Sequence, residues 1–217
     1  MKKILLFAGI AMFIASCNSN QTAERAETGE AQNVAEASGI QYDINHDNSE
    51  LRWRGTKPTG EHVGTVGISA AEVTVDENRI TGGTIIVDLT TIVNEDLESE
   101  DMNSRLVNHL KSEDFFHVEE HPEARFELVS MEEISATETG MTHNLTGNLT
   151  MRGNTKSVSF PARVNISDNR IDITTNEFAI DRTQWDVNFK SKKIFAELKD
   201  DFIHDDINLQ FDVEFVR

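Results

Sequence analysis

His143-Asn144-Leu145-Thr146-Gly147-Asn148-Leu149-Thr150-Met151 decides the fold. Leu145, Leu149 and Met151 fall on one face, and Asn144, Thr146, Asn148 and Thr150 on the other. Period-two alternation marks a strand with one buried and one wet face. Arg152-Gly153-Asn154 follows as a turn signal. Beyond it Val158, Phe160, Ala162, Val164 and Ile166 alternate with Ser157, Ser159, Arg163 and Asn165. The two runs read as an antiparallel hairpin. Pro161 has no N–H to give a ladder, so the second strand is an edge there or is bulged.

The same habit extends outward in both directions. Ile85, Val87 and Leu89 precede the hairpin, as do Phe126 and Leu128; Ile171 and Ile173 follow it. The chain closes on Ile207, Leu209, Phe211, Val213 and Phe215, alternating with Asn208, Gln210, Asp212 and Glu214. Asp76-Glu77-Asn78 and Ser167-Asp168-Asn169 supply further turns. About eight strands at this spacing predict an all-β barrel or sandwich. One stretch departs from it. Asp96–Lys111 places Leu97, Leu106, Val107 and Leu110 near helical spacing, acidic residues early and Lys111 late. That suits a short helix lying over the sheet or closing one end. A second short helix is expected near Lys193–Lys199.

Composition narrows function. Among 217 residues, 20 are Lys or Arg and 38 are Asp or Glu, a formal charge of −18. A nucleic-acid surface needs clustered basic groups, so this balance argues against nucleic acid and against electrostatic docking on anionic lipid. A single Cys rules out an intrachain disulfide framework and a Cys-rich zinc site.

The position of that Cys assigns it a role. Lys2 and Lys3 precede an apolar run, Ile4–Ile14, too short to span a bilayer but suited to a signal peptide. Ile14-Ala15-Ser16-Cys17 resembles the bacterial lipobox. Residues 1–16 are therefore expected to be a lipoprotein signal peptide and Cys17 the lipidated residue. Removing 1–16 takes two of the 20 basic residues away, so acyl chains and not charge must hold the protein to a membrane. Residues 18–38 contain one aliphatic side chain larger than Ala, Val34. Such a stretch buries too little to offset its ordering entropy, and 17–39 is expected to be a flexible tether to a folded domain at 40–217.

Catalytic motifs are scarce. No phosphate-binding glycine loop, nucleophile elbow or dinucleotide fingerprint is present in the sequence. His117-Val118-Glu119-Glu120-His121 fits the H-x-x-E-H form of some zinc peptidases. That chemistry needs both His on one helix face, and Pro122 pushes His121 away from helical angles. The stretch is read as a polar turn, with no metal and no catalytic residue expected. His46 and His62 are read as loop or turn residues, and Tyr42, Trp53 and Trp185 as packing residues. Lys190, Lys192 and Lys193 form the only basic cluster and are candidate contacts for an anionic headgroup.

Four ordered blocks carry a family resemblance. The first is Ser49–Gly55 with Gly60–Gly64; the second is His109–Phe116 continuing through Pro122–Phe126. The third is Gly147–Thr150 with Gly153, Thr155 and Lys156, and the fourth is Phe178–Trp185. Over Ile40–Arg217 the chain resembles the YceI-like polyisoprenoid-binding domains. It departs from them at His117, where an acidic residue is common, and at Ser157, where Pro is common. Lys190–Ile194 lacks a Gly/Ser-rich run.

The resemblance implies an extended antiparallel, lipocalin-like barrel whose lumen holds a polyisoprenoid or an isoprenoid quinone-like lipid. Its lumen candidates are Ile85, Val87, Phe126, Leu128, Leu145, Leu149, Phe160, Val164, Phe178 and Phe211. The expected function is binding or carriage of that lipid at the cell envelope, anchored through Cys17 to the outer membrane and facing the periplasm. No other cofactor and no enzymatic activity are expected, and oligomeric state is open. The alternatives are a metal-dependent envelope hydrolase using His117 and His121, and a solid-cored interaction module.

Overall fold

The alternating runs pair into a closed ring. The computed structural model describes residues 23–135 and 137–217. The expected signal peptide and Cys17 lie outside the described residues. In chain order the strands are β1 (Glu24–Arg25), β2 (Glu27–Glu30), β3 (Ile40–Ile44), β4 (Glu50–Lys57), β5 (Gly60–Asp76) and β6 (Arg79–Asn94). Helix α1 (Glu100–Lys111) follows, then β7 (Glu123–Glu133), β8 (His143–Met151), β9 (Asn154–Ile166), β10 (Arg170–Thr174), β11 (Phe178–Asp181) and β12 (Asp206–Val216).

Antiparallel pairs run β4–β5–β6–β7–β8–β9–β10–β12, and β12 returns to β4 through Leu209↔Trp53 and Phe211↔Leu51. Eight strands closed in this way form a lipocalin-like barrel. The turns are those the sequence marked. Glu77 and Asn78 adopt φ of 46° and 65°, and Arg152 and Gly153 adopt 49° and 74°. Two consecutive left-handed residues match the twist of a tight hairpin. Helix α1 starts later than Asp96 because Ser99 caps it, its hydroxyl accepting from the Met102 N–H. The expected second helix is one 3₁₀ turn, Ala196–Leu198.

Residues 24–30 are not a free tether. Glu24 and Arg25 pair in parallel with Phe178 and Ala179 of β11, and Glu27–Glu30 pair with Ser159–Lys156 of β9. This arm is a strand of the barrel wall. Low side-chain hydrophobicity did not prevent ordering, because backbone hydrogen bonds to two waiting strand edges hold it. Ala26 alone turns inward and is buried. Pro161 marks where β9 changes neighbour, since β2 pairs with 156–159 and β10 with 163–166. Its missing N–H falls in the gap between those two ladders.

Beyond β2 the arm crosses the outside of β8. Asn148 satisfies both backbone groups of Gln32, accepting from its N–H at 2.9 Å and donating to its C=O at 2.7 Å. Gln32 Nε2 donates to Ser157 Oγ at 2.8 Å. Asn148 and Ser157 sit on the outward, polar face of the hairpin yet are buried, because the arm covers them.

Candidate functional site

The interior of the ring divides into two unequal parts. At the level of β7, β9, β11 and β12, Phe126, Phe160, Phe178 and Phe211 form an aromatic plug. The Phe160 and Phe178 rings stack at 4.4 Å, and Phe211 meets both nearly perpendicularly at 5.6 and 6.2 Å. Phe126 lies 5.8 Å from Phe160. Gly147 makes room for it, since a Cβ there would stand 2.2 Å from Phe126 Cζ.

On one side of the plug, the far half is filled. Val73, Ile80, Leu128, Leu145, Ile173, Val213 and Phe215 leave a void of about 30 Å³, too small for a lipid. On the other side, toward α1 and the Arg152-Gly153 turn, a cavity of about 440 Å³ opens. Its walls are Leu51, Trp53, Val66, Val87, Leu89, Leu149, Met151, Ile180, Ile207 and Leu209. Leu106 and Leu110 of α1, Phe115 and Phe116 after it, and Phe189, Phe202 and Ile203 roof the opening. The His109 ring is wedged edge-on between Phe115 at 5.0 Å and Phe189 at 4.6 Å.

The lumen candidates read from the strands are thus distributed over three settings. Val87 and Leu149 line the large cavity. Ile85, Phe126, Leu128, Leu145 and Phe211 border the small void. Phe160, Val164 and Phe178 are buried in packed core. Alternation told which side each residue faces but not how far along the barrel axis it lies. The roofing residues were missed, because they sit on a helix and loops without period-two pattern. Their signal was the apolar spacing of α1 together with the consecutive Phe115 and Phe116.

Polar groups ring the mouth in pairs. Arg54 grips Glu177 with Nε and Nη2, the first at 2.6 Å, and reaches Glu61 at 3.2 Å. The Glu177 hydrogen bond outweighs burial and raises the Arg54 pKa further. Lys190 Nζ is 2.6 Å from Asp201, and His62 Nδ1 is 2.8 Å from Asp96. His62, on β5, thus belongs to the rim, whereas His46 begins a 3₁₀ turn away from it.

Arg182 lines the cavity with its side chain 1% exposed. It donates to the carbonyls of Val187, Ile203 (3.1 Å) and His204 (3.2 Å), with Asp205 at 3.6 Å. Burial pushes its pKa down, against the pull of Asp205 and Asp181. Asp181 shows the reverse balance. Burial pushes its carboxyl up, but hydrogen bonds from Thr183 and Lys193 hold it below the ordinary carboxylate range. Trp185, fully buried, ties this corner to β8 by donating from Nε1 to the Leu149 carbonyl at 2.9 Å.

The other two cluster lysines do not line the cavity. Lys193 bonds Asp181 at 3.1 Å, and Lys192 lies 4.6 Å above the Phe202 ring.

His117, Glu120 and His121 do converge, within 4.8 Å of one another. They do so on a turn, not a helix. The His121 N–H donates to the His117 carbonyl at 2.8 Å, and His117 has φ of 50°. Pro122 ends the turn after one i,i+4 step. Tetrahedral zinc ligands lie about 3.4 Å apart, and His117 Nδ1 to Glu120 Oε2 is 3.7 Å.

A strand ring packed at one end and hollow and apolar at the other defines a lipocalin-like barrel. The chain belongs to the YceI-like domain family, whose model matches residues 42–215. The arm precedes that matched stretch. Among curated proteins none matches the sequence. The crystal structure of BcnA from Burkholderia cenocepacia is similar at TM-score 0.59 and 18% identity, over 79% of this chain and 99% of that one. A polyisoprenoid binding domain from Saccharophagus degradans, implicated in plant cell wall breakdown, is similar at TM-score 0.58 and 11% identity, over 81% and 97%. These likenesses confirm the barrel fold.

Proposed function

We propose that this protein binds or carries an apolar lipid of the polyisoprenoid class at the cell envelope, held to the outer membrane through acyl chains on Cys17 and facing the periplasm. The observation that carries the reading is the cavity of about 440 Å³ with hydrocarbon walls at one end of an otherwise filled barrel. The Saccharophagus neighbour, a polyisoprenoid binding domain of the same fold, supports it. Burying hydrocarbon contributes about 25 cal/mol per Å², so an isoprenoid segment gains several kcal/mol against its ordering cost. The role read here is binding, since the cavity walls are mainly aliphatic and aromatic side chains.

Gentle extraction followed by mass spectrometry of co-purifying lipids tests the reading. Wild type that carries no lipid and binds none added overturns it. Leu149→Arg puts a charge into the cavity wall and loses the ligand. Thr150→Arg, on the outer face beside Thr155, keeps it. An unfolding midpoint measured on both variants separates lost binding from lost folding. Labelled palmitate should mark wild type and leave Cys17→Ser unmarked.

A further inference from the structure

We infer that the lipid taken by the mouth cavity has an uncharged, oxygen-bearing head, as in an isoprenoid alcohol or quinone, and not a phosphate. This rests on the lipid-binding reading above and adds the chemistry of the headgroup. The argument is a census of the cations that could meet such a group. Four side chains with permanent positive charge line the cavity: Arg54, Lys57, Arg182 and Lys190. Arg54 is held by Glu177 and Glu61, Lys190 by Asp201, and Arg182 by three carbonyls with Asp205 behind. Four carboxylates therefore offset the four cations. Lys57 is the one cation of the lining with no carboxylate at ion-pair distance among the described residues.

A diphosphate brings at least two negative charges into this ring. To reach Arg54 or Lys190 it must displace a carboxylate already bonded there and leave that carboxylate beside it. Like-charge juxtaposition of this kind opposes binding strongly. The chain's excess of 38 acidic over 20 basic residues adds no compensating field. Phosphate sites are built from several uncommitted Arg, Lys or backbone N–H groups, whereas this rim has spent its Arg fork on Glu177 and keeps only the single ammonium of Lys57 against at least two negative charges. A neutral oxygen asks only for one hydrogen bond, and Lys57 and Thr56 at the same rim carry donors. The cluster Lys190, Lys192 and Lys193, which suggests an anionic partner on sequence alone, is occupied by Asp201, the Phe202 ring and Asp181.

Farnesol and farnesyl diphosphate share one chain and differ in the head, so they test the choice. Delipidated full-length protein is titrated with each at low ionic strength, read by the fluorescence of Trp53, which lines the cavity. Farnesol is expected to bind at least tenfold more tightly. Asp201→Asn and Glu177→Gln free Lys190 and Arg54, and the double variant is expected to gain about tenfold for the diphosphate with farnesol unchanged. Asp201→Asn alone, an exposed change that leaves the fold intact, gains part of that. Tighter binding of the diphosphate by wild type, or no gain in the single and double variants, overturns the inference while leaving lipid binding in place. Binding of neither ligand overturns lipid binding itself, and this inference with it.

Discussion

The far half of the barrel and the mouth half share strands β5 to β9 and β12, yet one is filled and the other hollow. At the far end the ring has eight positions, with β3 beside β5 and β10 between β9 and β12. At the mouth β4 takes the place of β3 and β11 that of β10, and the arm is added between β11 and β9. The mouth therefore has nine strand positions. Each added strand widens a closed sheet by about 4.8 Å of circumference. Side chains of ordinary size meet across eight strands and fail to meet across nine. The only inward side chain of the arm, Ala26, adds little to refill the space. A segment with almost no apolar content thus helps to keep an apolar cavity open.

If that contrast is right, equal truncations in the two halves have unequal costs. Phe160→Ala removes a ring that touches three others in the plug, and should cost about 3–5 kcal/mol. Phe116→Ala trims a half-buried ring facing the cavity and should cost about 1 kcal/mol. Urea unfolding of both variants checks the pair; similar losses would mean that the mouth is packed as tightly as the plug. Gly147→Ala sharpens the point from the opposite direction. It forces Phe126 out of place and should destabilise by about 1–3 kcal/mol, with the cavity end unaffected in ligand titration.

The arm gives the next test. Asn148→Ala leaves the Gln32 N–H and C=O without their Asn148 partners, a loss of about 1 kcal/mol, since Gln32 is exposed and water can take their place. The expected readout is local. Cleavage within residues 24–38 by a nonspecific protease should speed up well before the barrel strands are cut. Unchanged protection would mean that β1 and β2 alone hold the arm, and that its crossing over β8 is passive.

How much of this was legible in the sequence follows from what each pattern encodes. Alternation in β8, β9 and β12 reports a facing direction, so the one-sided sheet, the hairpin at Arg152-Gly153 and the break at Pro161 could all be read. Closure could not be read from the residues alone, because pairing of β12 with β4 joins residues such as Leu209 and Trp53 that no local rule connects. The docked arm was invisible for a different reason. Its affinity lies in backbone groups and in Asn148 and Ser157 of the partner strands, not in its own side chains. Ser157 shows the consequence. It sits opposite Gly29 and accepts from Gln32, roles a Pro without N–H or hydroxyl does not fill. The cavity was half legible, since Leu149 and Phe160 share a periodicity but lie on opposite sides of a plug that only depth reveals.

The smallest effect expected lies in the wall between the halves, where Asp212 faces Glu50 across β12 and β4. Burial raises the Asp212 pKa, and Asp172 and Glu50 raise it further. A carboxyl whose folded pKa is above its unfolded value weakens the fold when ionised. That penalty is full at neutral pH and fades as pH falls through the raised pKa. Asp181, at the mouth, has the opposite sign, because its lowered pKa gives stability that is present at neutral pH and lost only below the ordinary carboxylate range. Asp212→Asn should therefore stabilise by less than about 1 kcal/mol at pH 7, as expected for an exposed like-charge cross-strand pair. The gain should shrink toward zero in mild acid and in high salt. Asp181→Asn should destabilise at pH 7 and converge with wild type only in stronger acid. Thermal midpoints of both variants across pH 3–8 separate the two, and curves of the same sign would show that the mouth and the wall do not differ in the way their carboxylates are balanced.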